Sequence, residues 1–212
     1  MAKIVHTKKD GCCDSDDCHD YLDIRLGKAA PSFAGKGFHA GKIVDIALSD
    51  MLAQDEKWTL VMFYPADFTF VCPTELGDVA DNYEKLQGMN VEVVSVSTDT
   101  EWCHKVWADI SPIIGKVKYP MLADPTGEVC AAYGVYIEEE GLADRGTFII
   151  DPDGILRGIE VTDGPLGRNI DETIRKIEAL QYMRANPGQA CPASWAKGKD
   201  TLTPGADLAG KL

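Results

Sequence analysis

Although the chain carries seven cysteines, no two of them stand in a C-x-x-C spacing, which removes the simplest sequence argument for a thioredoxin-type dithiol or a ribbon-type zinc site. It also lacks any uninterrupted apolar run of about 18 residues, so no segment reads as a membrane-spanning helix. Behind the charged start, Met1 to Lys9, stands no apolar stretch of the kind secretion signals have, and a cytoplasmic location is expected. Basic charge is scarce: 21 Lys and Arg against 34 Asp and Glu leave a net charge of -13. With no basic stripe to reverse that field locally, neither nucleic acid nor an anionic membrane is expected as a partner. There is no internal repeat and no low-complexity tract. An odd number of cysteines without a secretion signal is poorly explained by a closed disulfide framework, which leaves reactive or ligating thiols as the better question.

What is present is an ordinary globular composition, 45% hydrophobic and 26% charged, long enough for one domain with extensions. Apolar, β-rich runs at 58–64, 91–97, 147–151 and 156–161 read as strands. Several are too uniformly apolar to have one wet face, so the sheet should be covered on both sides. Between them, Leu76, Val79, Ala80, Tyr83 and Leu86 fall at helical spacing, as do Ile170, Ile174, Ile177 and Leu180; strands and helices alternate as in α/β folds. Asn169 followed by Glu172 predicts a capping box at the start of the later helix. Asp151-Pro-Asp-Gly154 predicts a hairpin turn, and Asp124-Pro-Thr-Gly127 punctuates the chain in the same way. After Arg184 the composition turns to Asn-Pro-Gly, Gly-Lys-Asp and Pro-Gly-Ala, the mark of an irregular and mobile tail.

The most informative segment runs from Phe63 through Cys72 to Leu76 and joins a buried strand to the helix expected to continue through Leu86. Pro73 suits a first helical turn, where its missing N–H is no loss. At such a junction, unpaired N–H groups and the positive end of the helix dipole favour an anion, and a nucleophilic cysteine must be one. Taken singly, Thr69 reads as a helix cap and Cys72 as a small core residue. Arg145, beside an apolar strand, reads as a solvated end.

The combination Pro65-x-x-x-Thr69-x-x-Cys72 resembles the active-site signature of the typical two-cysteine peroxiredoxins. Further likeness lies in Thr98-Asp-Thr100, His104-Lys105, 119–127, 140–145 and 207–212, and points within that family to the bacterial alkyl hydroperoxide reductase C branch. The resemblance implies a thioredoxin-like α/β fold, a central mixed sheet with helices on both faces, and no cofactor. It implies that Pro65 shields the sulfur, that Thr69 contacts the peroxide, and that Cys72 attacks its terminal oxygen. Arg145 matches the arginine that stabilises the thiolate and polarises the peroxide. Glu75 matches the glutamate that orients it, and Arg168 a second family arginine, although its capping-box neighbours also give it a local explanation. Cys191, in Ala-Cys-Pro-Ala-Ser-Trp195, resembles the resolving cysteine of a neighbouring subunit, so that an intersubunit Cys72–Cys191 disulfide follows the sulfenic acid. The helix carrying Cys72 then has to unwind in part. Hydrogen peroxide and alkyl hydroperoxides are the implied substrates, a flavoprotein disulfide reductase or thioredoxin the reductant, and a homodimer assembling to a decamer the quaternary state.

The resulting organisation is an acidic arm over 1–20, a peroxiredoxin domain over 21–185, and a tail over 186–212 holding the resolving cysteine. Sensitive relatives carry Gly-Gly-Leu-Gly where Ser111-Pro-Ile-Ile-Gly-Lys116 stands, and a Tyr-Phe near the C-terminus that is missing here, so resistance to over-oxidation is expected. In the arm, Cys12, Cys13, Cys18 and His19 cluster among Asp14, Asp16 and Asp17. This set offers N and S donors for zinc or copper or an auxiliary redox role, but the spacing is not that of a finger, and a solvated arm is the other reading. Cys103 and Cys130 fall in helical patterns and are expected to be buried structural thiols. A general thiol–disulfide oxidoreductase and an oligomeric holdase are the alternative functions.

Overall fold

A computed structural model of the chain describes residues 24–54 and 56–211; Cys12, Cys13, Cys18 and His19 lie outside the described residues. The first unit, ending at Arg168, opens with a hairpin of β1 (Ala34–His39) and β2 (Lys42–Ala47) and a short α1 (Leu48–Leu52). There follow β3 (Trp58–Phe63), α2 (Cys72–Asp81), α3 (Tyr83–Gly88), β4 (Val91–Ser97), α4 (Glu101–Ile110), a 3-10 turn (Ile114–Lys116) and β5 (Met121–Ala123). It closes with α5 (Glu128–Ala132), a small hairpin of β6 (Tyr136–Ile137) and β7 (Leu142–Ala143), then β8 (Arg145–Ile150) and β9 (Leu156–Thr162). Seven strands form one mixed sheet in the order β2-β1-β5-β4-β3-β8-β9.

Strands β3 and β8 are buried at every position and β4 at all but one. Since successive side chains point to opposite faces, both faces of the sheet centre are covered, as the uniformly apolar runs predict. The predicted strands are all found, β4 at its predicted bounds and the other three with ends moved by one or two residues. β3, β4 and β5 are parallel neighbours, which requires crossovers, supplied by α2–α3 and by α4. Their C-terminal ends therefore lie side by side, where the loops of α/β sheets converge on function. The turn after β8 is as predicted: the Asp151 carboxylate accepts from the N–H groups of Asp153 and Ile155 at 3.0 and 2.9 Å, and Gly154 takes φ +77°.

The helix expected through Leu86 is broken at Asn82, which leaves helical geometry at φ -101° and ψ 1° while its side-chain amide donates to the Asp78 carbonyl at 2.9 Å. An Asn side chain competing for a helix carbonyl ends the ladder there. The second unit, Asn169–Leu212, holds α6 (Ile170–Ala185) and the C-terminal segment. Asn169 caps α6 as predicted, accepting from the N–H groups of Asp171 and Glu172. The reciprocal half of the capping box is not made, because the Glu172 carboxylate is taken by Arg175 in a two-pronged pair at 2.6 and 2.8 Å. The segment after α6 is irregular, as its Gly and Pro content predicts, yet it is tied down: Arg175 donates to the Trp195 carbonyl at 2.8 Å, and Trp195 stacks on Tyr182 with centroids 5.2 Å apart. None of the described helices is long and apolar enough to cross a membrane.

Candidate active site

Cys72 is the first residue of α2, at the strand-to-helix junction read from the sequence. The preceding Val71 offers no capping side chain and Pro73 sits in the first turn, while the N–H groups of Thr74 and Glu75 donate to the Val71 carbonyl at 3.0 and 3.2 Å. The sulfur is fully buried. It therefore depends on neighbouring charges rather than on water for the stability of an anion.

Those charges come from α2 itself and from two distant stretches of chain. Arg145, at the start of β8, places Nη1 3.3 Å from Cys72 Sγ and 2.6 Å from Glu75 Oε2, and its Nε donates to the Gly164 carbonyl at 2.6 Å. Arg168 donates to the same carboxylate from Nε at 2.8 Å and from its backbone N–H at 2.9 Å, and holds the Gly146 carbonyl at 2.9 Å. Both arginines are almost wholly buried, as is Glu75. Arg145 is thus not the solvated strand end that its position alone suggested, and Arg168 reaches Glu75 rather than capping α6. Two guanidinium charges facing one carboxylate leave one positive charge over, and the Arg145 Nη1 that carries part of it lies 3.3 Å from the Cys72 sulfur. The spacing of Cys72 and Glu75, three residues apart, puts both on the same face of α2, so one helical turn presents sulfur and carboxylate to Arg145 together.

Thr69 is not a helix cap. Its hydroxyl donates to the Ala66 carbonyl at 2.9 Å, and the N-terminal residue of α2 is capped by no side chain. With its only hydrogen so used, the Thr69 oxygen presents lone pairs, and can accept from an O–H. Pro65 is half-buried in the same β3–α2 loop. Between these two, Asp67 is buried and bonded on three sides, to Tyr64, His104 and Asp99. The motif contains Asp67, but its spacing carries no sign of partners on β4 and α4. His104 is a polar residue three positions from Trp107, on the inner face of α4, and both are buried.

Cys191 lies in the second unit, half-buried, with its sulfur 4.0 Å from the Ala179 carbonyl of α6. Partial burial pushes this thiol up, against the opposing pull of the Arg175 guanidinium. Cys130 is the buried structural thiol expected of it, pushed up by burial and then by Asp124, whose carboxylate accepts from its backbone N–H at 2.8 Å. Cys103 is only half-buried, on a flank of α4 where its sulfur meets the Thr100 hydroxyl at 3.4 Å; position i+3 from the helix cap keeps it at the rim. Among the described residues no group of three or more His, Cys, Asp or Glu side chains is placed to hold a metal ion.

The sequence profile of the AhpC/TSA family matches residues 26–159. The chain belongs to this family. It is 49% identical over 180 residues to alkyl hydroperoxide reductase C of Salmonella typhimurium, covering 85% of this chain and 95% of the relative, and 47% identical over 187 residues to the Bacillus subtilis protein of the same name, covering 88% and 98%. Among solved structures, Enterococcus faecalis AhpC superposes with a TM-score of 0.75 at 43% identity over 79% of this chain and 98% of that one. Reduced Plasmodium vivax 2-Cys peroxiredoxin does so at 0.80, with 31% identity over 86% and 94%. The fold is accordingly the thioredoxin-like one of peroxiredoxins, and the chain is a thiol-dependent peroxidase acting on peroxides and regenerated by a reductase partner. The alternative of a general thiol–disulfide oxidoreductase or holdase is not favoured by these relatives.

Proposed function

We propose that Cys72 carries the peroxidase reaction and Cys191 of a second subunit resolves it. The observation that supports this assignment is the buried Arg145 guanidinium shared between Cys72 Sγ and Glu75. The Cys72 thiolate attacks the terminal oxygen of ROOH, which binds with its O–H donated to Thr69. The S–O bond forms as the O–O bond breaks, and the departing alkoxide, stabilised by Arg145, takes up a proton to leave as ROH. The Cys72 sulfenic acid then loses its hydroxyl as water when the Cys191 sulfur attacks, giving the disulfide. An external dithiol reduces that bond and is itself oxidised. Pro65 and Arg168 shape and hold the site. Because the Cys72 sulfur is fully buried, no second sulfur reaches it unless the first turn of α2 opens.

The reductant we favour is a dedicated flavoprotein disulfide reductase, with thioredoxin as the other dithiol source, and the compartment is the cytoplasm. For assembly we favour a homodimer building a decamer. In support, Trp102, Val106 and Ile110 are exposed at four-residue intervals along α4, and Phe68 and Phe70 are exposed in the β3–α2 loop, apolar side chains of the kind a subunit interface covers. Peroxide-dependent NAD(P)H oxidation, measured with each reductant in turn, tests the scheme. Turnover is expected with the flavoprotein and its loss in Cys72→Ser, while Cys191→Ser should make one equivalent of sulfenic acid but no disulfide-linked dimer on a non-reducing gel. Full turnover in Cys72→Ser would sink the assignment.

A further inference from the structure

The peroxide loop is rooted in a buried polar network that the reaction scheme does not use. Asp67 lies between Pro65 and Thr69, and both oxygens of its carboxylate are taken: Oδ1 accepts from the Tyr64 hydroxyl at 2.7 Å and Oδ2 from His104 Nδ1 at 2.8 Å. Its backbone N–H donates to Asp99 Oδ2 at 2.8 Å, and Asp99 is fixed in turn by the Ser97 hydroxyl at 2.8 Å. The other ring nitrogen of His104, Nε2, faces the Leu122 carbonyl at 3.3 Å. Both nitrogens thus face acceptors. The ring is therefore held from both sides, by a carboxylate on one nitrogen and a strand carbonyl on the other. The side chains of His104 and Asp67 are wholly shielded from water, and Tyr64, held protonated by burial and then by the adjacent Asp67, remains a donor. The members come from the ends of β3, β4 and β5 and from α4, so the loop is tied to the sheet itself.

One residue beyond Asp67 the backbone is strained. Phe68 takes φ +58°, a conformation disfavoured for a bulky side chain. Its ring is half-exposed and meets Trp107 with centroids 5.8 Å apart, too little to hold the backbone in that form. The left-handed residue reverses the chain, letting Thr69 donate back to Ala66. A strained turn persists only when its flanks are over-determined, and here the flank is Asp67.

We infer that the buried Asp67–His104 contact is a positioning device for the peroxide site, holding the Pro65–Thr69 loop in its strained form so that the Thr69 hydroxyl is aimed at the incoming peroxide. This rests on the role proposed above for Thr69. The consequence is selective. Loss of the pair should impair reaction of Cys72 with peroxide, which uses the Thr69 hydroxyl, and spare its alkylation by iodoacetamide, which carries no O–H for Thr69 to accept.

The experiment compares second-order rate constants of Cys72 with hydrogen peroxide and with iodoacetamide in the full-length reduced protein, for wild type, Thr69→Val, Asp67→Asn, His104→Gln and the double variant His104→Gln/Phe68→Gly. A fall of about ten- to a hundredfold with peroxide is expected for Asp67→Asn and His104→Gln, the scale of a slightly misplaced reacting group, with iodoacetamide rates within about twofold of wild type. Phe68→Gly removes the strain, because glycine adopts positive φ freely; it should restore much of the peroxide rate to His104→Gln. Equal falls with both electrophiles, or no fall with peroxide while Thr69→Val is impaired, would overturn the anchor. Thr69→Val reacting like wild type would instead overturn the role of Thr69. Should the single variants unfold, failure of the double variant to fold or to recover peroxide reactivity counts against the anchor as well.

Discussion

Cys72 is fully buried at the start of a regular helix, with an arginine on its sulfur and a matched set of charges behind it. Cys191, by contrast, is half-buried in a segment without helix or strand, with one arginine in its electrostatic reach and burial working against its ionisation. The difference suits the two roles proposed for them. A sulfur that meets a small, uncharged peroxide gains from a rigid, dry, pre-oriented site, because charges there need no reorganisation as the O–O bond breaks. A sulfur that meets another protein chain needs reach and approach, and a fixed, buried position would forbid the encounter.

The contrast breaks most visibly at Arg145. Arg145→Gln should slow Cys72 oxidation by about a hundred- to a thousandfold, the cost of losing one donor aimed at developing charge, and leave the condensation of a preformed sulfenic acid with Cys191 comparatively untouched. Stopped-flow oxidation by peroxide, followed separately from disulfide formation, checks this. Next comes stability. Glu75→Gln leaves two buried guanidinium groups without their carboxylate and should cost about 3–5 kcal/mol. Arg175→Gln, which breaks a pair whose side chains are 32% and 42% exposed and one bond to the Trp195 carbonyl, should cost about 1–2 kcal/mol; chemical denaturation of the two variants measures the difference.

A third test concerns pH and only the second sulfur. Because burial raises the Cys191 pKa above that of an ordinary thiol, the group is protonated near neutrality, and its thiolate, the attacking form, grows about tenfold per pH unit below that pKa. Disulfide formation should therefore accelerate as pH rises and slow as it falls, and Arg175→Gln should slow it further at any one pH. A rate independent of pH would place the limit elsewhere, in the opening of α2. The smallest effect expected is over-oxidation. Where Ser111–Lys116 stands, Ile113 packs on Gly77, close enough that an added Cβ would lie 2.6 Å from its methyl, and Lys116 pairs with Asp81 at 3.1 Å. Both contacts fall in the later part of α2, away from the turn carrying Cys72. Mass spectrometry after many turnovers at high peroxide should find little Cys72 sulfinic acid.

Much of the site was legible because it is local. Strand, loop and helix follow each other through Phe63–Leu76, and the three-residue spacing of Cys72 and Glu75 sets both on one side of α2 without reference to anything distant. The strands β3, β4 and β8 could be read from uniform apolarity, and the β8–β9 turn from Asp151 and Gly154. Other features stayed hidden where a long-range partner overrode a local preference. Glu172 fits a capping box by position, but Arg175 takes its carboxylate. Thr69 fits a helix cap, but the strained Phe68 turns it back to Ala66. The hairpin β1–β2, Ala-Gly-Lys-Gly-Phe-His and Lys-Ile-Val-Asp-Ile-Ala, carries no strong alternation by which a strand could be read.

By itself, then, the sequence determined the place of Cys72 at a helix start and the covered α/β sheet, since these depend on residues within a turn or a strand of one another and on the period of apolar side chains. Only the tertiary structure decided how charge is balanced around Cys72. Arg145 and Arg168 are 73 and 96 positions away along the chain, and whether they reach Glu75 or water depends on the sheet order that sets β8 beside β3. The same holds for Asp67 and His104, which meet because β3, β4 and β5 run parallel and end together, a juxtaposition that no spacing in the chain encodes.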